Sequence, residues 1–122
     1  MGQSMKFVRA TVRPFRLDEI LEALRGAGLE SPTVTETKLY GQKGRMEIYR
    51  GTEFTAKFVP MLEIEAVVPS DRIEKVTKAI ADAARTGRTG QIADGEILVF
   101  DLEHAQRICI GEVDDKEPRQ AA

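Results

Sequence analysis

Twice in this chain an alternating, extended segment runs into a proline and then into a helical pattern: "TVRPF" at 11–15 and "AVVPS" at 66–70. A strand that stops at a proline and continues as a helix, made two times over, leaves few ways to fold. In "MKFVRATV" (5–12), Lys6, Val8, Ala10 and Val12 face one way and Phe7, Arg9 and Thr11 the other. That period of two predicts a strand. Leu17, Ile20, Leu21 and Leu24 follow at helical spacing, with Gly26 and Gly28 at the helix end. "SPTVTETKLY" (31–40) predicts a second strand, and "MLEIEAVV" (61–68), after Pro60, a third. Ser70 is the expected N-cap of a second helix with a buried stripe of Ile73, Val76 and Ile80, and "EILVFDL" (96–102) is the fourth strand. The order β-α-β, loop, β-α-β predicts an α+β ferredoxin-like split β-α-β fold. Its four-stranded antiparallel sheet carries two helices on one face. No third helix covers the other face, so a closed cyclic oligomer is expected.

Charge and composition exclude several functions. The chain has 18 basic and 20 acidic residues, a net charge of −2, against the basic excess of a nucleic-acid binder. No apolar run approaches the ~18 residues of a membrane span and no leader pattern is read, so a cytoplasmic location is expected. One Cys (Cys109) and one His (His104) make a metal centre within one subunit improbable and leave no internal disulfide. Glu63 and Glu65 lie two apart on a predicted strand, which reads as one polar face rather than a catalytic carboxylate pair. A chain of 122 residues is one domain. It is read here as a folded unit over 1–112 and a flexible tail over 113–122.

Between the second and third strands lies "KLYGQKGRMEIYRGTEFTAKFVP" (38–60), glycine-punctuated, charged and too long for a hairpin turn. Tyr40, Tyr49 and Phe54 are costly to leave in water, so an arm that docks on a partner is expected there, with Lys43 and Arg50 beside them.

Five motifs stand in register with one known family. "VRPFRLDEILEAL" (12–24), "YGQKG" (40–44), "YRGTEF" (49–54), "AARTG" (83–87) and "RICIGE" (107–112) resemble the PII signal-transduction proteins, the nitrogen-regulatory trimers. The resemblance spans Met5 to about Glu112. It implies a homotrimer with an adenine nucleotide in each cleft between subunits. The T-loop, about 38–60, would dock on a target such as a membrane transporter or a regulated enzyme. It makes 85–96 the B-loop, whose N–H groups cradle phosphates. Arg85, Thr86, Asp94 and Gly95 would form one wall of the cleft. Thr33, Gly41, Glu65 and Val67 would form the wall across the subunit boundary, and Arg107 would pair with phosphate. Gln42 would hold a small-molecule effector. No residue is assigned a catalytic role.

The departures from the family pattern carry their own expectations. The B-loop is about three residues longer than "TGKIGDGK", and Glu96 stands where that pattern has lysine. "RICIGE" replaces "RIRTGE", putting Cys109 in place of an arginine, and "GQKG" drops the arginine of "GRQKG". A carboxylate beside a triphosphate costs affinity, so ADP or AMP is expected over ATP. Phe54 replaces the modified tyrosine of "YRGAEY". Met61 replaces the lysine of "FLPK", which in the family anchors 2-oxoglutarate, and removes a charge-assisted bond of roughly 1.5–3 kcal/mol. A small anion such as bicarbonate, with or without Mg2+, is therefore the favoured co-effector. Three alternatives stand beside this reading: a standard ATP/2-oxoglutarate PII protein, a CutA-type metal-binding trimer, and a slow ATPase.

Overall fold

The computed structural model describes residues 4–29, 31–40, 46–49, 52–55 and 58–108, with 46–49 and 52–55 described by their backbone pairing. The strands and α-helices among the described residues are β1 (Met5–Val12), α1 (Leu17–Gly26), β2 (Thr33–Tyr40), β3 (Met46–Tyr49), β4 (Thr52–Thr55), β5 (Phe58–Pro69), α2 (Ile73–Ala84) and β6 (Gly95–Asp101). The main sheet has the order β2-β5-β1-β6, antiparallel throughout. β3 and β4 form a separate two-stranded ribbon, Met46 opposite Thr55 and Tyr49 opposite Thr52. The four-stranded sheet with two helices is the ferredoxin-like split β-α-β architecture.

The period of two in β1 decides which face is packed. Val8, Ala10 and Val12 are buried, and their β5 partners Ala66, Ile64 and Leu62 join them. Ile20 and Leu24 of α1 and Val76, Ile80 and Ala84 of α2 close this core from above. Ile73 packs at its margin, partly buried. Each fully buried Val, Leu or Ile contributes about 1.5–3 kcal/mol, so this single layer is the main source of stability.

Among the described residues the opposite face carries no helix. There Arg9 donates from Nε to Glu65 Oε2 at 2.8 Å, across the β1–β5 pair. Its guanidinium lies 5.6 Å from the Phe7 ring centre and 6.0 Å from that of Phe100, rings themselves 5.9 Å apart. Leu98 and Phe100 remain 40% and 44% exposed on this face.

Several element boundaries differ from the sequence expectation. The third strand begins at Phe58, not Met61, and passes through Pro60. At that position β5 pairs with β2 alone, because pairing with β1 starts at Leu62. A strand with one free side accommodates the missing N–H. Ser70 does not cap α2. It opens a 3₁₀ turn, Ser70–Arg72, and both its N–H and its hydroxyl donate to the Ser4 carbonyl at 2.9 Å. The helix starts three residues later, at Ile73, with no side-chain cap. The second strand starts at Thr33 rather than Ser31. The fourth covers Gly95–Asp101 rather than 96–102. The 38–60 segment is less irregular than its composition suggests, since it holds the end of β2, the β3–β4 ribbon and the start of β5. Cys109 and the tail from 113 lie outside the described residues.

Candidate functional site

At the C-terminal end of α2 the chain leaves the helix at Arg85 and does not enter β6 until Gly95. A cleft of ≈ 500 Å³ opens there, between Ala81 and Ala84 of α2, the 89–92 stretch and Glu96 at the start of β6. This loop is built around one buried carboxylate. Asp94 is 7% exposed, the one buried charged residue among those described. Its Oδ2 accepts from the Thr86 N–H at 2.8 Å and from the Gln91 N–H at 3.0 Å, while the Thr86 hydroxyl donates to Oδ1 at 2.9 Å. Arg13, at the exit of β1, sets its Nε 3.3 Å from Asp94 Oδ1 and donates to the Ala93 carbonyl at 3.2 Å. Arg13 also reaches the Gln91 side-chain carbonyl at 3.4 Å.

These partners explain the acidity of Asp94. The Thr86 N–H above all, then the Gln91 N–H, the Thr86 hydroxyl and Arg13, hold its carboxyl below the ordinary carboxylate range, against a desolvation that pushes it up. The site thus keeps a charge that is already bonded on several sides.

Two glycines permit this packing. Gly95 has φ +128, and a Cβ there would fall 1.8 Å from the Thr11 carbonyl oxygen, so no side chain fits. Gly90 has φ +78, and a Cβ would meet Arg85 Cγ at 2.7 Å and Asp94 Oδ2 at 3.2 Å. The entry to the loop is held too: Arg16 donates to the Arg85 carbonyl at 2.9 Å, and Arg85 itself pairs with Asp82 at 3.0 Å. Phe15 stands between Arg13 and Arg16, its ring centre 6.0 and 5.7 Å from the two guanidinium carbons.

The residues anticipated from sequence fall into two groups. Arg85, Thr86, Asp94 and Gly95 come together in this loop. Thr33, Glu65 and Val67 lie on the main sheet, Thr33 directly opposite Glu65 and Val67 opposite Phe7. Thr33 is exposed, Glu65 is held by Arg9, and Val67 is 3% exposed. One chain therefore does not bring the two groups to one cleft. Arg107 lies beyond β6, half-buried, in a segment without regular structure. Met61 is 3% exposed, apolar and enclosed. Gly41, Gln42, Lys43 and Arg50 lie outside the described residues; Tyr49 and Phe54 are placed only by backbone in the β3–β4 ribbon, Tyr49 in its end pair with Thr52 and Phe54 opposite Glu47. Tyr40 and Phe58, at the root of that excursion, make an edge-to-face pair at 5.7 Å, both rings mostly exposed.

Sequence reading missed Arg13, Arg16 and Gln91. Arg13 sits in the strand–proline junction "VRP", and nothing local signals a partner some eighty residues away. Among the described residues, no group of three or more His, Cys, Asp and Glu side chains is placed to hold a metal ion. No helix among them is long and apolar enough to cross a membrane.

Comparison with known proteins bears on this geometry. The family model for nitrogen regulatory protein P-II matches residues 5–112. The nitrogen regulatory protein P-II of Rhizobium etli is 50% identical over 113 residues, covering 92% of this chain and 98% of its own. Nitrogen regulatory protein P-II 1 of Escherichia coli K12 is 46% identical over 112 residues, covering 91% and 97%. A crystal structure of Arabidopsis thaliana PII bound to citrate superposes with a TM-score of 0.68 at 30% identity, over 90% of this chain and 85% of that one.

Proposed function

This chain belongs to the nitrogen regulatory protein P-II family, and from that premise we propose that it is a signalling subunit gated by an adenine nucleotide. It acts as a regulator of other proteins rather than as an enzyme. The nucleotide sits in a cleft between subunits of a homotrimer, and the 38–60 segment reports its presence to a target such as a membrane transporter.

The observation that carries this reading is the pre-formed loop between α2 and β6. It has positive-φ glycines at 87 and 90 and is tied at both ends to one carboxylate, through the Thr86 and Gln91 N–H groups, so the backbone between them is held in one shape. A glycine-rich turn held in this way is the kind of segment whose backbone N–H groups bind phosphate oxygens. The second support is the separation of the two residue groups. Thr33, Glu65 and Val67 lie on the sheet away from the loop, as a ligand site shared between copies requires. The third is the uncovered face, where Phe7, Leu98 and Phe100 offer apolar area for a neighbouring copy.

Phosphate preference follows from charge. Glu96 lines the cleft where the family pattern has lysine, so the third phosphate of ATP meets a carboxylate. ADP or AMP is favoured on that ground. The enclosed thioether of Met61 offers no cation to a dicarboxylate, which favours a smaller anion such as bicarbonate, with Mg2+ as a candidate companion. The coupling is reciprocal: whatever free energy the nucleotide gains from one shape of the 38–60 segment, the target experiences equally.

Calorimetry with AMP, ADP and ATP, each with and without Mg2+, bicarbonate and 2-oxoglutarate, tests the reading. ADP binding tightened by bicarbonate is expected. Tight Mg-ATP binding that requires 2-oxoglutarate returns the chain to standard nitrogen sensing. No binding of any adenylate, or a monomer by light scattering, overturns the proposal.

A further inference from the structure

The hydrogen bonds of Asp94 have a pattern that a ligand-binding carboxylate would not need. Its donors come from Thr86 and Gln91, the residues on either side of Gly87–Gly90, and none comes from within that stretch among the described residues. Gly90 packs directly on this arrangement, its α-carbon facing Asp94 Oδ2 and Arg85 Cγ too closely for a side chain. Arg13 completes the closure from outside the loop, holding Asp94 Oδ1, the Ala93 carbonyl and the Gln91 side chain together. A carboxylate already engaged by two N–H groups, a hydroxyl and a guanidinium has little capacity left for a nucleotide, and its own charge opposes phosphate.

We infer that Asp94 and Arg13 are positioning residues: they clasp the two ends of the 86–91 segment so that the Gly87–Gly90 N–H groups between them are held as an anion cradle. Asp94 thus lines the cleft but acts on the loop, not on the ligand. The clasp joins three separate parts of the sequence, the exit of β1, the end of α2 and the turn before β6, and it fixes a loop that glycines would otherwise leave loose. Without it, phosphate binding has to order the segment as well as bind to it, and affinity falls by that ordering free energy. This inference rests on the nucleotide reading above.

The test is the part of the affinity that phosphate supplies. Adenosine and ADP are measured against the wild-type protein, Asp94→Asn and Arg13→Gln, with weak binders quantified by displacement of a fluorescent ADP. Asp94→Asn keeps the shape and leaves one carbonyl oxygen for the Thr86 and Gln91 N–H groups, but removes the charge and sets an NH2 against Arg13 Nε. Expected is at least a tenfold loss for ADP with less than a twofold change for adenosine. Arg13→Gln leaves the carboxylate in place, so it is the milder variant, with a three- to tenfold loss confined to ADP. An ADP affinity equal to that of the wild type in both variants overturns the inference, and so does an equal loss for adenosine and ADP, which marks general destabilisation. Should Asp94→Asn fail to fold by circular dichroism, Arg13→Gln alone decides by the same two criteria. A wild-type protein that binds no ADP sinks the nucleotide reading itself, a result distinct from any contrast between variants.

Discussion

Replacing Gly95 by alanine adds one methyl group where the sheet has no room for it. The backbone at Gly95 has φ +128 and ψ −163, a region open essentially to glycine alone. Holding alanine there costs about 1–3 kcal/mol before any contact is considered. The new Cβ would lie 1.8 Å from the Thr11 carbonyl oxygen, 2.9 Å from its carbon and 3.3 Å from Val12 Cα. Carbon and oxygen do not normally approach closer than about 3.3 Å, so the strands must part by more than 1 Å. That motion strikes the pairs Val12–Gly95 and Thr11–Glu96, the last two of the β1–β6 ladder. Losing their hydrogen bonds removes about 1 kcal/mol each. The total is about 3–5 kcal/mol, or roughly 10–20 °C in midpoint for a domain of this size. Urea and thermal unfolding at fixed protomer concentration measure it, the fixed concentration being needed because association stabilises. A loss below about 1 kcal/mol would show that β6 slides away from β1 without resistance and that position 95 does not require glycine.

Three further outcomes follow from the same geometry. Leu24→Ala, at a fully buried position on α1, should cost about 2–5 kcal/mol in urea denaturation, and a loss under 1 kcal/mol would mean that the helices close over the gap. Asp94 carries a depressed pKa, so its contribution is complete above the unfolded carboxylate value of about 3.9 and disappears as pH falls through the lower folded value. The acid limb of stability against pH should therefore be shallower in Asp94→Asn than in the wild type, and superimposable limbs would refute the assignment. Tyr40→Ala and Phe58→Ala should couple by about 0.5–1.5 kcal/mol in a double-mutant cycle, whereas strict additivity would mean that the ring contact contributes nothing.

What could be read in advance was periodic. Val8, Ala10 and Val12 alternate because β1 has one dry face, and Val76 and Ile80 recur at helical spacing because α2 has one dry stripe. The motif register located the 85–96 loop. What escaped reading was non-local. Pro60 looks like a strand breaker in one dimension; only the sheet order reveals that β5 has a free side there. Ser70 has the chemistry of a helix cap, yet the start of β1 brings Ser4 close enough to take its hydroxyl instead. Asp94 lines the cleft, as the motif register suggests, but its ties to Thr86, Gln91 and Arg13 could not be read locally, because only a folded chain can bring Arg13 to it. β2 alternates in sequence although seven of its eight residues are exposed, because an edge strand without a helix above it keeps neither face dry.

One feature of β5 has mechanical meaning. From Phe58 to Met61 it is bonded to β2 alone, four rungs that rise beyond the last β1 partner, Leu62. At about 3.3 Å per residue this makes a stalk roughly 13 Å tall, and two-stranded ribbons twist more readily than wide sheets. A tilt of about 10° at its foot moves its top by about 2 Å, enough to spoil or create a hydrogen bond. Small strains in the sheet could in this way be read at a distance as a change of aim, with no need for the stalk itself to melt.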